Sequence, residues 1–181
     1  TLCNDPEKLA ELNKSFSKKY GESGVVKTAN NLDKVKFYST GIMGIDLALN
    51  SGFAVGRVCA INGTFSSAKS SLAYMTIAEQ QRKDPSFYAY IYDAEQSTDV
   101  KYLEALGVDL DRTMIDQTKS AEEGLTKLRD SIASGIYGIA VLDSTSALTP
   151  TKDTESEISS VSMALVARIL SNAYPQLAGV C

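Results

Sequence analysis

The stretch from Gly63 to Ser71, GTFSSAKSS, constrains this chain most, because it sits between an apolar run, RVCAIN, and a helical run, LAYMTIAEQQ. It follows the phosphate-cradling pattern G-x-x-x-x-G-K-[ST] at every fixed position but one, where Ala68 stands for the second glycine. Such a loop needs backbone N–H groups pointing inward at a helix N-terminus, a lysine that reaches the outer phosphates, and a hydroxyl for magnesium. Lys69 and Ser70 supply the last two. Ala68 keeps its N–H, but its methyl group takes space and narrows the dihedrals that glycine would leave open. The competing interpretation is an ordinary serine-rich turn.

The rest of the chain alternates in a way that suits such a loop. STGIMGIDLALNSG holds a short apolar helix, and GRVCAIN reads as a buried strand entering the loop. LAYMTIAEQQRK is helical, FYAYIYD is a strand ending at Asp93, DVKYLEALG is a short helix closed by Gly107, and TMIDQ is a further strand. Ser120 and Glu123 form a capping box for a helix with Leu125, Leu128 and Ile132 on one face. YGIAVLDS is a continuous apolar strand of the kind buried on both faces of a parallel sheet. Strand and helix in alternation predict an α/β fold, a mainly parallel sheet flanked by helices with right-handed crossovers.

Ahead of that core, PEKLAELNKSFSKKY over residues 6–20 places Leu9, Leu12 and Phe16 on one face and Lys18 and Lys19 in the last turn. This is an amphipathic helix, either packed on its own domain or reserved for a partner. The polar connection GESGVVKTANNLDK follows it. The expected organisation is therefore an N-terminal helix and linker over 1–30 and a core over 31–181. A start at Thr1 and an end at LAGVC read as part of a longer protein, cut short on its C-terminal side.

Composition narrows the chemistry. There is no histidine, so general-base work falls to a carboxylate and Ser-His or Cys-His catalysis is excluded. Three scattered cysteines suit neither a disulfide framework nor a zinc site, and fit a reducing cytoplasm. No apolar run approaches the roughly 20 residues that span a bilayer. With a net charge of −4 and no long basic block, charge alone predicts no nucleic-acid binding.

Ligands of open α/β sheets collect beyond the carboxyl ends of the strands, where two carboxylates join the loop. Asp143 ends YGIAVLDS and can hold magnesium through water opposite Ser70; alone, an aspartate there caps the next turn. Glu95, in IYDAEQ, can orient and deprotonate an attacking water, or can simply be a solvated loop residue.

Taken in order, these residues resemble the RecA family of recombinases from about residue 20 onward. STGIMGIDLALNSGFAVGRVCAINGTFSSAKSS is similar to that family's lead into its phosphate loop, and IYDAEQSTDVKYLEALGVDLDR to the segment bearing its catalytic glutamate. The most specific match is VLDSTSALTPTKDTESEISSVSMALVARILSNAYPQLAG, which is similar to its Walker B strand, first DNA-binding loop and following helix. The resemblance implies a RecA-like P-loop NTPase core that uses ATP and Mg2+, with Gly63, Thr64, Phe65, Ser66, Ser67, Ala68, Lys69, Ser70 and Ser71 around the phosphates. Ser70 and Asp143 would hold the metal, Glu95 and Lys69 would be catalytic, Tyr102 would stack on adenine, and Asp99 would lie near the adenine amino group. Tyr102 in DVKYLEALG can equally be a core residue.

By the same resemblance the first DNA loop spans about Asp153 to Met163, with Met163, Arg168 and Ser171 facing the strand. Read without it, Asp153, Glu155 and Glu157 fit a plain surface loop. The N-terminal helix would pack on a neighbouring protomer, and repeated head-to-tail contacts would build a helical homo-oligomer on single-stranded DNA that pairs it with double-stranded DNA. Cytoplasmic action in a bacterial cell or phage-infected host follows, with no membrane partner, and the alanine at 68 suggests a phage-type member. Two other interpretations stay open. One is a RecA-like nucleotide-binding or filament-assembly module whose altered loop does not turn ATP over. The other is a RecA-like ATPase of another pathway, which would lack ALTPTKDTESEI followed by VARILS.

Overall fold

The structure, a computed structural model, describes residues 6–21, 26, 34–150 and 162–181. The chain divides into two compact units, Thr1–Val35 and Lys36–Cys181. In the first, α1 runs over Pro6–Tyr20, with Glu7 in its first turn and Lys18 and Lys19 in its last, so that both charges complement the helix dipole. None of its residues is buried, and the Phe16 and Tyr20 rings lie 6.2 Å apart on adjacent turns.

The second unit opens with a short ribbon. β1 (Phe37–Tyr38) pairs antiparallel with β2 (Phe53–Ala54), and α2 (Met43–Ala48) lies between them in the chain. Asp46 on α2 accepts from the Thr40 amide, the Thr40 hydroxyl and the Ser39 hydroxyl at 2.7–2.8 Å, which closes the turn before the helix.

The main sheet is parallel and three-stranded, in the order β4 (Thr113–Asp116), β3 (Tyr88–Asp93), β5 (Tyr137–Asp143). Crossovers are helical: α3 (Lys69–Lys83) precedes β3, α4 (Val100–Ala105) lies between β3 and β4, and α5 (Ala121–Ala133) lies between β4 and β5. Because strand side chains alternate between faces, β3 feeds two cores at once. Ala89 and Ile91 pack with Tyr74 and Ile77 of α3, Leu103 of α4 and Val108. Tyr90 and Tyr92 face the other way, onto Leu125 and Leu128 of α5 and Leu177 of α6 (Ser162–Val180). The approach of α5 is close: a Cβ at Gly124 would lie 2.1 Å from Tyr92 Cζ, so only glycine admits the tyrosine ring. Ser120 Oγ caps α5 by accepting from the Glu123 amide at 3.3 Å, while the Glu123 carboxylate pairs with Lys127.

Two expectations are corrected. GRVCAIN is not a buried strand: residues 57–60 are exposed without strand pairing, with Val58 46% accessible. Among the described residues, β5 pairs only with β3, and no strand offers this segment a ladder. For the same reason β5 is half-buried rather than buried on both faces, whereas β3, flanked by strands on both sides, is buried from Ala89 to Asp93.

Candidate functional site

The loop ahead of α3 contains two left-handed residues, and the alanine is one of them. Ala68 is the residue that caps α3, at φ 60 and ψ 29, and Ser66 has φ 54. Both lie in the left-handed region, which costs an L-residue about 1–2 kcal/mol. Left-handed residues interleaved in a loop turn successive N–H groups toward a common point, a geometry that takes anions. At Gly63 a Cβ would come 2.5 Å from Ser67 Oγ, so any side chain there would have to displace the Ser67 hydroxyl. Ser67 Oγ donates to the Thr64 carbonyl at 2.8 Å, and Lys69 Nζ donates to the Thr64 and Gly63 carbonyls at 2.8 and 3.2 Å. The lysine is thus folded across the loop's own carbonyls, and Phe65 at the tip is fully exposed.

Hydrogen bonds bring the other expected residues to this end of the sheet. From α3, Tyr74 donates its O–H to Asp143 Oδ2 at 2.9 Å, which ties the last residue of β5 to the helix that begins at the loop. One turn earlier, Ser71 Oγ and Tyr102 Oη are 2.7 Å apart, which links α3 to α4. Glu95 reaches the end of β5 as well: its Oε1 accepts from Ser144 Oγ at 2.6 Å, and the Ala94 amide donates to the Asp143 carbonyl at 2.8 Å. Tyr102 is 45% accessible, which places it at the surface rather than in the core. Asp99 caps α4, accepting from the Lys101 amide at 2.9 Å.

Beneath these lies a buried carboxylate that the motif reading does not single out. Asp93, 1% exposed, accepts from Gln117 Nε2 at 2.9 Å and from the Thr98 and Ser97 amides at 3.0 and 3.2 Å. Burial is the largest single influence and pushes its pKa up, but the Gln117, Thr98 and Ser97 hydrogen bonds together outweigh it and hold the carboxyl below the ordinary value. It thereby pins the turn that presents Glu95 and Asp99. The signal available in the sequence was its place at the end of a strand so apolar that a carboxylate there must find donors. Tyr74 and Ser144 were also missed. Tyr74 lies four residues after Ser70 and so shares its helix face, and a buried phenol needs a partner.

The donor set suits a cation that arrives with phosphates. Ser70 offers a hydroxyl and Asp143 a carboxylate, and the described residues contain no group of three His, Cys, Asp or Glu side chains able to cage a metal. Magnesium in nucleotide sites takes one or two protein oxygens and fills its octahedron with phosphate and water. Of the expected DNA contacts, the loop over 153–161 lies outside the described residues. Met163 stands in the first turn of α6, and Arg168 and Ser171 are exposed along it, opposite the face of Val166, Ile169, Leu170 and Ala173 that packs on the core. No helix among the described residues is long and apolar enough to cross a membrane.

The model of the RecA N-terminal domain family matches residues 7–181. A protein named Protein RecA from a Nitratiruptor species is 37% identical over 169 aligned positions, 92% of this chain and 48% of the relative. Protein RecA of Chlorobaculum parvum is 35% identical over 181 aligned positions, 97% of this chain and 52% of the relative. That of Staphylococcus aureus (strain JH9) is 37% identical over 98% of this chain and 52% of the relative. The chain spans about half the length of the curated relatives it matches. With its family model matched over nearly the whole chain and relatives above one-third identity, the chain belongs to the RecA family.

Proposed function

We propose that this chain carries the nucleotide-binding part of an ATP-dependent DNA recombinase, acting in the cytoplasm of a bacterial cell or phage-infected host. The protein would coat single-stranded DNA as a filament, pair it with homologous duplex and exchange strands. The observation that carries this reading is that the helix beginning at the loop is bonded through Tyr74 to Asp143 at the end of β5, while Glu95, past the end of β3, is bonded to Ser144 beside it.

In this reading the loop from Gly63 to Ser71 receives the phosphates on its N–H groups, and Lys69 exchanges the Thr64 and Gly63 carbonyls for outer phosphate oxygens. Ser70 and Asp143 are the protein's oxygens toward magnesium, whose charge, when bound, offsets that developing on the phosphates. Glu95 Oε1 is occupied by Ser144, which leaves Oε2 to take the proton of a water as its oxygen attacks the terminal phosphorus and the bond to the bridging oxygen breaks. Tyr102 lies against the adenine and Asp99 near its amino group. Met163, Arg168 and Ser171 face the DNA strand, and the N-terminal segment over 1–30, α1 with its linker, packs on the neighbouring protomer.

A second reading is favoured by one observation: Ala68 holds a left-handed conformation, with a methyl group where the phosphate-loop pattern has glycine. In that reading the protein binds nucleotide and assembles, but turns it over little. One experiment separates them: magnesium-ATP binding and hydrolysis by the full-length protein, with and without single-stranded DNA, for wild type, Lys69→Ala and Ala68→Gly. DNA-stimulated hydrolysis by wild type that falls about a hundredfold or more in Lys69→Ala supports the recombinase, matching the scale of losing one electrostatic stabiliser. Absent turnover in wild type that returns in Ala68→Gly establishes the second reading instead.

A further inference from the structure

Tyr74 belongs to neither the loop nor the strand ends, yet its hydroxyl meets the carboxylate that closes β5. We infer that Tyr74 is a positioning residue for Asp143: its O–H engages Oδ2 and leaves Oδ1 as the oxygen that meets the water shell of a magnesium ion held opposite Ser70. The inference deepens the proposed function and rests on its assignment of Asp143 to the metal side.

The geometry has the properties a positioning contact needs. The Tyr74 ring is 4% exposed and packed among Ile77, Ala89, Ile91, Leu103 and Val108, so its hydroxyl is carried on a fixed arm rather than a mobile one. An aspartate's terminal torsion is otherwise broad, and a single donor 2.9 Å from Oδ2 is enough to select one orientation of the carboxylate. Ser70 and Tyr74 stand four residues apart on α3, so the helix face that presents the hydroxyl also presents the donor.

The choice of donor matters. An arginine or lysine in this place would hold the carboxylate more strongly and cancel the charge a cation needs. A phenol orients it and leaves the charge in place. A phenol is protonated at neutral pH, so Tyr74 has the O–H with which to donate.

The test is a magnesium titration of fluorescent-ATP-analogue binding to the full-length protein, for wild type, Tyr74→Phe, Asp143→Asn and the double variant. Binding of the analogue in EDTA and the melting temperature are read alongside. Phenylalanine keeps the buried ring and removes only the donor. Tyr74→Phe should raise the magnesium concentration at half-saturation about three- to tenfold, the worth of one hydrogen bond, with binding in EDTA unchanged. In the Asp143→Asn background it should add nothing. Half-saturation equal to or below that of wild type overturns the inference, as does an equal shift in both backgrounds, which would mean the ring acts through packing. If wild-type binding itself ignores magnesium, the metal-side assignment of Asp143 falls and takes this inference with it.

Discussion

β3 and the segment over 57–62 are both largely apolar six-residue stretches, YAYIYD and RVCAIN, and each leads toward a residue of the proposed site. One is buried from its second residue to its last, and the other, exposed over 57–60, has no strand pairing among the described residues. The difference is in their neighbours. β3 is laddered to β4 on one side and β5 on the other, from Ala89 to Tyr92 on the first and to Asp93 on the second. The 57–62 segment has no ladder among the described residues. A strand is a pairwise object, because its backbone N–H and C=O groups need a partner before its side chains can be buried without penalty. Apolar composition is necessary for it and insufficient.

Matched truncations in the full-length protein test that contrast most strongly. Ile91→Ala removes a side chain with no exposure and should cost about 2–5 kcal/mol, seen as a lower denaturation midpoint at unchanged slope. Val58→Ala, at 46% exposure, should stay within about 0.5 kcal/mol. A loss at position 58 as large as at 91 would show that the approach to the loop is buried in the assembled protein and that the contrast belongs to this part of the chain alone.

The buried end of β3 sharpens the comparison by pH. Asp93 has a folded pKa below its unfolded one, so its contribution is fully present above about pH 4 and is lost as pH falls through the ordinary carboxylate range and then the lower folded value. Asp93→Asn should cost about 1–3 kcal/mol at neutral pH, because its NH2 replaces one of the two acceptor oxygens and so turns a donor toward either the Ser97 amide or the Thr98 amide. The gap between variant and wild type should narrow as pH drops below 4. A constant gap down to pH 2 would mean that the carboxylate's charge contributes nothing.

The smallest effect is at the loop itself. Ala68→Gly relieves a left-handed alanine and should stabilise by about 1 kcal/mol, offset in part by the greater freedom of glycine in the unfolded chain, for a melting temperature a few degrees higher. No gain, or a loss, would mean that the loop holds its alanine in a relaxed form in the full protein.

Much of the fold was legible because its signals are local. α1 begins at Pro6 and ends at Tyr20 as its caps and periodicity require, and Ser120 caps α5 from one residue before it. The strands that end at Asp93 and Asp143 are read from apolar runs closed by a carboxylate. The candidate site was legible as a set of residue types and less so as an arrangement. Tyr74 and Asp143 are 69 residues apart in the chain, Glu95 and Ser144 are 49 apart, and Ser71 and Tyr102 are 31 apart. No periodicity spans such distances.

By itself, the order of residues determined which segments are helical, which can be strands, and that a lysine, a hydroxyl and two carboxylates stand at the ends of strands or the start of a helix. Those are consequences of side-chain spacing and backbone preference within a few residues. Only the tertiary structure decided that Tyr74 would hold Asp143, that Ser144 would hold Glu95, that Asp93 would find Gln117, and that RVCAIN would stay unpaired. Each depends on what another part of the chain brings within about 3 Å, the reach of a hydrogen bond, and that is settled by packing and strand order rather than by local sequence.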